Sequence, residues 1–210
     1  MQDALATRRD TMPKVGMQPI RQKQIIEAAI DTIHELGIEQ SSIRQIGMKA
    51  GISPSLITHY FGSRDELYTL VLRHLNRELS RATIAKLRTA STPMERLLAI
   101  ASAQFDAEQF QPAVATAWFA LWASLRGNHE MMRYQAIYEK RLASNIAYCL
   151  RSLIPENQVD FAVNCLLAMI DGLWVKAAQP TSRVTTENAL AIFQNYVVQL
   201  VSQLARGSAE

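Results

Sequence analysis

Apolar residues recur along this chain at helical spacing almost from end to end. After a polar start punctuated by Pro13, Gly16 and Pro19, the positions Ile26, Ala29, Ile30, Ile33 and Leu36 share one face of a helix predicted over residues 20–36, which Gly37 ends. Ser41 or Ser42 then caps a short helix over Ile43–Ala50, with Ile43, Ile46 and Ala50 inward and Gly51 as the left-handed residue that stops it. Ser53 followed by Pro54 opens a third helix at once, Pro54–Phe61, because proline lacks an N–H that the first turn leaves unpaired anyway. Ser63-Arg64-Asp65-Glu66 is a capping box, and from it Leu67, Leu70, Val71, Leu75, Leu79, Ile84 and Leu87 carry one long helix. A second box, Thr92-Pro93-Met94-Glu95, and breaks at Pro112, Gly127, Pro155 and Pro180 divide the rest into about five more helices. No stretch alternates as a strand would, so the predicted class is all-α.

The last two segments are more regular. Phe161, Cys165, Ala168, Gly172 and Val175 step by 4, 3, 4, 3, and Leu190, Phe193, Val197, Leu200 and Leu204 by 3, 4, 3, 4, each a coiled-coil-like seam. Such a seam serves the chain's own core or a second copy equally well. Because the eighth helix offers a further apolar face in Ala162, Leu166, Met169 and Leu173, more than one-sided burial requires, the expectation is a homodimer held by this pair of helices. Periodicity leaves open which face forms the interface.

Composition narrows the classes. With 210 residues, 49% hydrophobic and 20% charged, the chain can bury one sizeable core or two small ones, which excludes collagen-like, mucin-like and wholly disordered proteins. The longest uncharged runs, residues 109–125 and 188–205, fall short of the roughly 20 apolar residues of a membrane span, so none is expected. Asp3, Arg8, Arg9 and Asp10 leave no apolar stretch for a secretory signal, and a cytoplasmic chain is expected. Cys149 and Cys165, each set in an apolar stretch without a second Cys or His nearby, read as core residues of a reducing compartment. No metal site, cofactor loop or enzyme signature is present in the sequence. The net charge of +3 is divided unevenly: up to Ala90 there are 13 basic against 9 acidic residues, whereas residues 91–210 hold 9 against 10. A polyanion would therefore be met by the first 90 residues.

There the segment Ser42 to Phe61 has the layout of a helix-turn-helix. Ile43, Ile46, Ala50, Ile52, Ile57 and Phe61 would hold its two helices together, leaving Ser53, Ser55, Thr58, His59 and Tyr60 to meet phosphates and base edges. Any amphipathic hairpin shares this pattern, so a plain packing hairpin stays open. Arg44 and Arg64 flank the candidate groove face, while Lys14 and Arg21 stand before or at the start of the first helix, as a frayed basic tail or as an arm on the DNA. Farther along, Trp118 and Trp122 share a helix face, with Phe105 and Phe110 upstream and Trp174 close to Asp171 in a later helix. They are either core aromatics or a pocket. A pocket of aromatic faces with one carboxylate suits a quaternary ammonium, whose head offers no hydrogen-bond donor.

At these residues the chain resembles the TetR family of bacterial repressors. Ile43-x-x-Ile46-x-x-x-Ala50-Gly51-Ile52-Ser53, then Tyr60-Phe61, Arg64 and Leu67 follow its N-terminal signature in order and spacing over about residues 20–70. Pro13-Lys14-Val15-Gly16-Met17-Gln18, Ile57-Thr58-His59-Tyr60-Phe61, the stretch Trp118 to Ser124 and Ile170-Asp171-Gly172-Leu173-Trp174 are similar to its choline-responsive repressors of glycine betaine synthesis. The chain departs from that pattern with Arg21-Gln22 in place of a double arginine and with Gly47 where alanine is common, differences that bear on the operator sequence and not on the docking mode.

The resemblance implies a disordered extension over residues 1–12, a DNA-binding domain over 13–61, and a ligand-binding and dimerisation domain over 62–205 with a connecting helix at 62–88, then a tail at 206–210. It implies that a homodimer binds double-stranded DNA at a palindromic operator through Lys14, Arg21, Ser42, Arg44, Ser53, Ser55, Leu56, Thr58, His59, Tyr60 and Arg64. A small cation, choline, would sit among Phe105, Trp118, Trp122, Asp171 and Trp174 and relieve repression. The alternatives are a TetR-type repressor of a drug-efflux or other metabolic operon, and a helical dimeric adaptor that never touches DNA.

Overall fold

The computed structural model describes residues 17–206, and among these the chain is all helical. Nine α-helices follow in order: α1 Met17–Leu36, α2 Ile43–Ala50, α3 Pro54–Phe61, α4 Arg64–Leu87, α5 Pro93–Gln104, α6 Pro112–Ala123, α7 His129–Leu150, α8 Glu156–Ala177 and α9 Thr186–Arg206, with a short 3-10 turn at Leu125–Gly127. The extension over residues 1–12, Lys14 and the tail beyond Arg206 lie outside the described residues. α1 starts at Met17 and not at residue 20, since Pro19 falls in the first turn, where backbone N–H groups have no intrahelical acceptor.

The ends of the helices follow the local chemistry. Of the two serine candidates, Ser42 caps α2 by accepting from the Gln45 N–H. Ser41 turns inward, and its hydroxyl donates to the Gly37 carbonyl at 2.7 Å. Gly51 ends α2 at φ 64°, a conformation a Cβ disfavours. Both capping boxes form, Ser63 with Glu66 before α4 and Thr92 with Glu95 before α5.

One hydrophobic core runs through the chain. Ile25, Ala29 and Ile33 of α1 meet Ile46 of α2, Ile57 of α3 and Leu67 and Val71 of α4, and the same core continues through α5 to α9. α1 packs on α6 as well as on α2, so the first three helices rest directly on the C-terminal ones. His34 Nδ1 on α1 lies 3.0 Å from the Thr116 hydroxyl on α6, a hydrogen bond across that contact.

The two seams behave differently. On α9, Phe193, Val197 and Leu200 are buried against the chain's own α5 and α8, with Leu190 and Leu204 half-buried beside them. This correction removes most of that seam from any surface open to a second copy, because the stripe closes the protomer's core. The outward side of α9 instead carries Ile192 and Val198. On α8 the seam does face outward: Phe161 is 57% exposed, Ala168 and Gly172 are exposed, and Cys165 and Val175 are half-buried. α8 is also long and apolar enough to cross a membrane by length and composition, contrary to the expectation from uncharged runs, which Asp160 and Asp171 interrupt. Its apolar character has two uses within the fold, one side buried through Val159, Ala162, Leu166, Ile170 and Leu173 and the other presented outward.

Candidate nucleic-acid interface and ligand cavity

α2 and α3 cross at close range. A Cβ on Gly47 would stand 2.7 Å from the Ile52 carbonyl oxygen and 3.3 Å from Ile57 Cδ1, so the departure from alanine here matches a tight crossing of this chain's own backbone. Ile46, Ala50, Ile57 and Phe61 are buried beneath it. Outside, Ser53, Ser55, Thr58 and His59 of the α3 region are exposed, while Leu56 and Tyr60 are half-buried at its flank. Ser53 caps α3 through the Leu56 N–H at 3.3 Å and shares a hydrogen bond with Ser55, and the Thr58 hydroxyl donates to the Pro54 carbonyl at 3.0 Å. His59 and Tyr60 meet edge to face at 5.5 Å. These bonds fix the rotamers of a polar face that remains open to solvent.

The basic residues separate into two kinds. Arg44 is exposed on α2 and makes no ion pair among the described residues, and Arg21 is half-buried in α1. Lys49 is paired with Glu35 of α1 at 2.5 Å. Arg64 differs from the expectation of a free phosphate ligand. Its guanidinium donates to the Ile38 carbonyl and, at 3.2 Å, to the Tyr68 hydroxyl, while lying over the Tyr68 ring. Tyr68 in turn donates to the Ser41 carbonyl at 2.6 Å, and its burial pushes the hydroxyl's pKa up, which keeps it a donor. Together they brace the turn between α1 and α2 against the first turns of α4.

A second concave site of about 340 Å³ lies among α4 to α8, at the small end of the 300–1,000 Å³ usual for ligand pockets. Trp118 and Trp122 of α6 and Trp174 of α8 line it together with Tyr138 of α7. The ring centroids of Trp118 stand 5.6 Å from Trp122, 6.2 Å from Trp174 and 6.1 Å from Tyr138, a cluster with Trp118 at its centre. Asp171 and Glu139 supply carboxylates to the same wall. Although part of Asp171 faces solvent, surrounding protein desolvates its carboxyl and Glu139 repels its charge, which raises its pKa to about 6. Phe105 does not line this cavity. It is fully buried one layer behind, edge to face with Phe110 at 5.2 Å and Phe193 at 5.9 Å, and Phe110 in turn packs on Trp174. Ala168, placed by periodicity in the α8 seam, lines the cavity as well.

Sequence reasoning missed the contribution of α7. Gln135, Tyr138 and Glu139 all face the cavity, with Gln104 of α5 hydrogen-bonded to Tyr138. The available signal was Gln135 itself, a polar residue inside the inward stripe Met131, Gln135, Tyr138, Leu142, Ile146. A larger groove of about 720 Å³ runs between α1 and α4, lined by Lys23, Glu27, Arg73, Arg77 and Glu78. Its walls carry charges of both signs and no aromatic ring but His74, so the aromatic cavity is the one suited to a small organic ligand.

Comparison with known proteins covers both parts of the chain. Residues 25–71 match the family model of bacterial regulatory proteins of the tetR family, and residues 93–202 match that of the BetI-type transcriptional repressor C-terminal domain. The HTH-type transcriptional regulator BetI of Yersinia pestis (strain Pestoides F) is 37% identical over 190 residues, covering 90% of this chain and 96% of the relative. The protein of the same name from Brucella melitensis biotype 2 is 36% identical over 193 residues, 91% and 98% of the two chains. Among solved structures, a transcriptional regulator from Saccharomonospora viridis in complex with choline superposes with a TM-score of 0.75 at 19% identity, covering 86% of this chain and 96% of that one. Helix-turn-helix, helical C-terminal bundle and relatives together place this chain in the TetR family as a transcriptional repressor with a BetI-type C-terminal domain, and not among enzymes.

Proposed function

We propose that this chain acts in the cytoplasm as a homodimeric repressor of choline-to-glycine-betaine genes, binding a palindromic operator and releasing it when choline fills the aromatic cavity. In this reading residues 13–61 form the DNA-binding domain, 62–205 the ligand and dimer domain, and 62–88 hold the connecting helix. α3 enters the major groove, with Ser55, Thr58 and His59 at base edges and Leu56 at its rim. Ser42, Arg44, Ser53, Tyr60, Arg21 and Lys14 meet phosphates, and Arg64 positions the α1–α2 turn. A second copy covers the outward faces of α8 and α9.

The observation that carries the ligand assignment is the cavity wall: Trp122, Tyr138 and Trp174, each with its ring centroid 5.6 to 6.2 Å from that of Trp118, beside Asp171 and Glu139. Aromatic faces attract a quaternary ammonium by about 2 kcal/mol or more where water is excluded, and a carboxylate neutralises its charge. The choline complex of a regulator with the same fold supports the same class of ligand. Choline releases DNA by preferring the conformation whose two α3 helices are wrongly spaced for half-sites about 34–36 Å apart. Because ligand and DNA are then coupled, a coupling of about 1–3 kcal/mol lowers operator affinity about 5- to 150-fold. A mobility-shift titration with choline, on the unaltered protein and on Trp122→Ala, tests this. Operator affinity indifferent to millimolar choline overturns the choline assignment, and an undiminished response in Trp122→Ala removes that ring from the site.

A further inference from the structure

Of Ser55, Thr58 and His59, the residues exposed along α3, only Thr58 has its hydrogen-bonding sense fixed by the fold. Ser55 shares a hydrogen bond with Ser53 in which either hydroxyl can donate, and a His59 ring nitrogen can present a donor or an acceptor. The Thr58 hydroxyl donates to the Pro54 carbonyl, one turn back on the same helix, at 3.0 Å. A hydroxyl has one hydrogen, so Thr58 Oγ1 meets the solvent with its lone pairs alone, as an acceptor. The same bond selects the χ1 rotamer and with it the position of the Thr58 methyl. The outer face of α3 therefore presents, at Thr58, one acceptor and one methyl group in a fixed relation.

In the major groove each base shows its own pattern. Guanine shows acceptors only, at N7 and O6, and cytosine a donor at N4, whereas adenine adds a donor at N6 to its N7 acceptor and thymine carries O4 and the C5 methyl. An acceptor on the protein finds a donor on cytosine or adenine, and a methyl finds an apolar neighbour only on thymine. The A·T pair meets both. We infer that Thr58 is a specificity-determining residue of the DNA reader, selecting an A·T pair in each half-site by accepting from adenine N6–H and packing its methyl on that of thymine. This rests on the reading in which α3 enters the major groove, and it names the base pair that Thr58 recognises there. Opposite a G·C pair the oxygen still finds cytosine N4, but the methyl lies against no apolar group, and donation to guanine requires giving up the Pro54 carbonyl.

The test begins with selection from a random duplex pool by the full chain and by Thr58→Ala, at one salt concentration. The unaltered protein is expected to enrich a palindrome with an A·T pair in each half-site whose preference, and no other, is lost with Thr58→Ala. Two substitutions on the DNA then separate the contacts without any change to the protein: unsubstituted purine in place of that adenine removes the N6 amino group, and uracil in place of its thymine removes the methyl. Each should weaken binding of the unaltered protein about fivefold or more. Purine should cost nothing further with Thr58→Val, which keeps a methyl and lacks the oxygen, and uracil nothing further with Thr58→Ser, which keeps the oxygen and lacks the methyl. Preferences unchanged with Thr58→Ala, or a lost preference for G·C, overturn the inference while leaving the repressor reading intact. Affinity lost evenly across all sequences also overturns it, since a residue that only supports the helix or meets a phosphate carries no sequence information. If the unaltered chain enriches no duplex, α3 is not a groove reader, and this inference fails with that reading.

Discussion

Gly47 determines how closely α2 and α3 approach, and its hydrogen is in effect part of the interface between them. Adding one methyl there sets a carbon 2.7 Å from a backbone oxygen that cannot rotate away, so α3 itself has to move. Gly47→Ala is expected to cost about 1–3 kcal/mol, as overpacking does, lowering the melting temperature by about 2–4 °C per kcal/mol and weakening operator binding in a mobility shift. Asp171 makes a prediction in pH. Its folded pKa of about 6 lies above its ordinary value of 3.8, so its ionised form is disfavoured by folding. The destabilisation is fully present above pH 6 and is relieved as pH falls from 6 towards 3.8. Asp171→Asn should therefore raise the melting temperature of the ligand-free protein at neutral pH and have little effect near pH 4. Choline affinity should run the other way, constant above pH 6 and falling through it in titrations that follow tryptophan fluorescence, with the step absent in Asp171→Asn. The tryptophans and Asp171 were legible in the sequence because their types are rare and their spacing is helical. Gln135 could be found only as a polar break in the inward stripe of α7, and Glu139 not at all, because an exposed glutamate is ordinary on a helix surface and only the placing of α7 against α8 brings it to the cavity rim.

The beginning of α4 shows why some helical features can be derived locally and others cannot. Its capping box is a four-residue pattern that satisfies its own backbone, so Ser63 and Glu66 announce it within one turn. Arg64 is different, because Tyr68 stands one turn along the same helix but the Ile38 carbonyl reaches the guanidinium only after α1 has folded back on α4. A free surface arginine and a bracing arginine look alike in sequence. They differ in the response of binding to salt. Arg44→Ala, if it removes a phosphate contact, should reduce the salt slope of operator binding by about 1 and weaken binding to all sequences alike. Arg64→Ala should instead leave the slope unchanged while costing about 1–2 kcal/mol of stability through the lost charge-assisted bonds at a half-buried site. Paired mobility-shift series at several salt concentrations, with thermal melts, separate the two.

For the assembled molecule the seams set a sharper test. Helix periodicity marks an apolar stripe but not the partner that covers it, and on α9 the marked stripe proved to be covered by the chain itself. Val198, 53% exposed, and Leu200, buried at 6%, are two residues apart on opposite sides of that helix. Val198→Glu should give a folded chain that sediments as a monomer, whereas Leu200→Glu should lose helical circular dichroism on mild heating, because an unpaired charge is then buried inside the protomer. A dimer undisturbed by Val198→Glu together with Phe161→Glu would place the interface elsewhere. α6 has a consequence for engineering such regulators. It carries Trp118 and Trp122 on the cavity side and Thr116, bonded to His34 of α1, on the other, so one helix is at once the wall of the sensor and the floor beneath the DNA reader. A chimera that joins this C-terminal domain to a foreign reader at the start of α4 would break that shared surface even with every loop intact. The graft should signal only if the residues of α1 that rest on α6 travel with it.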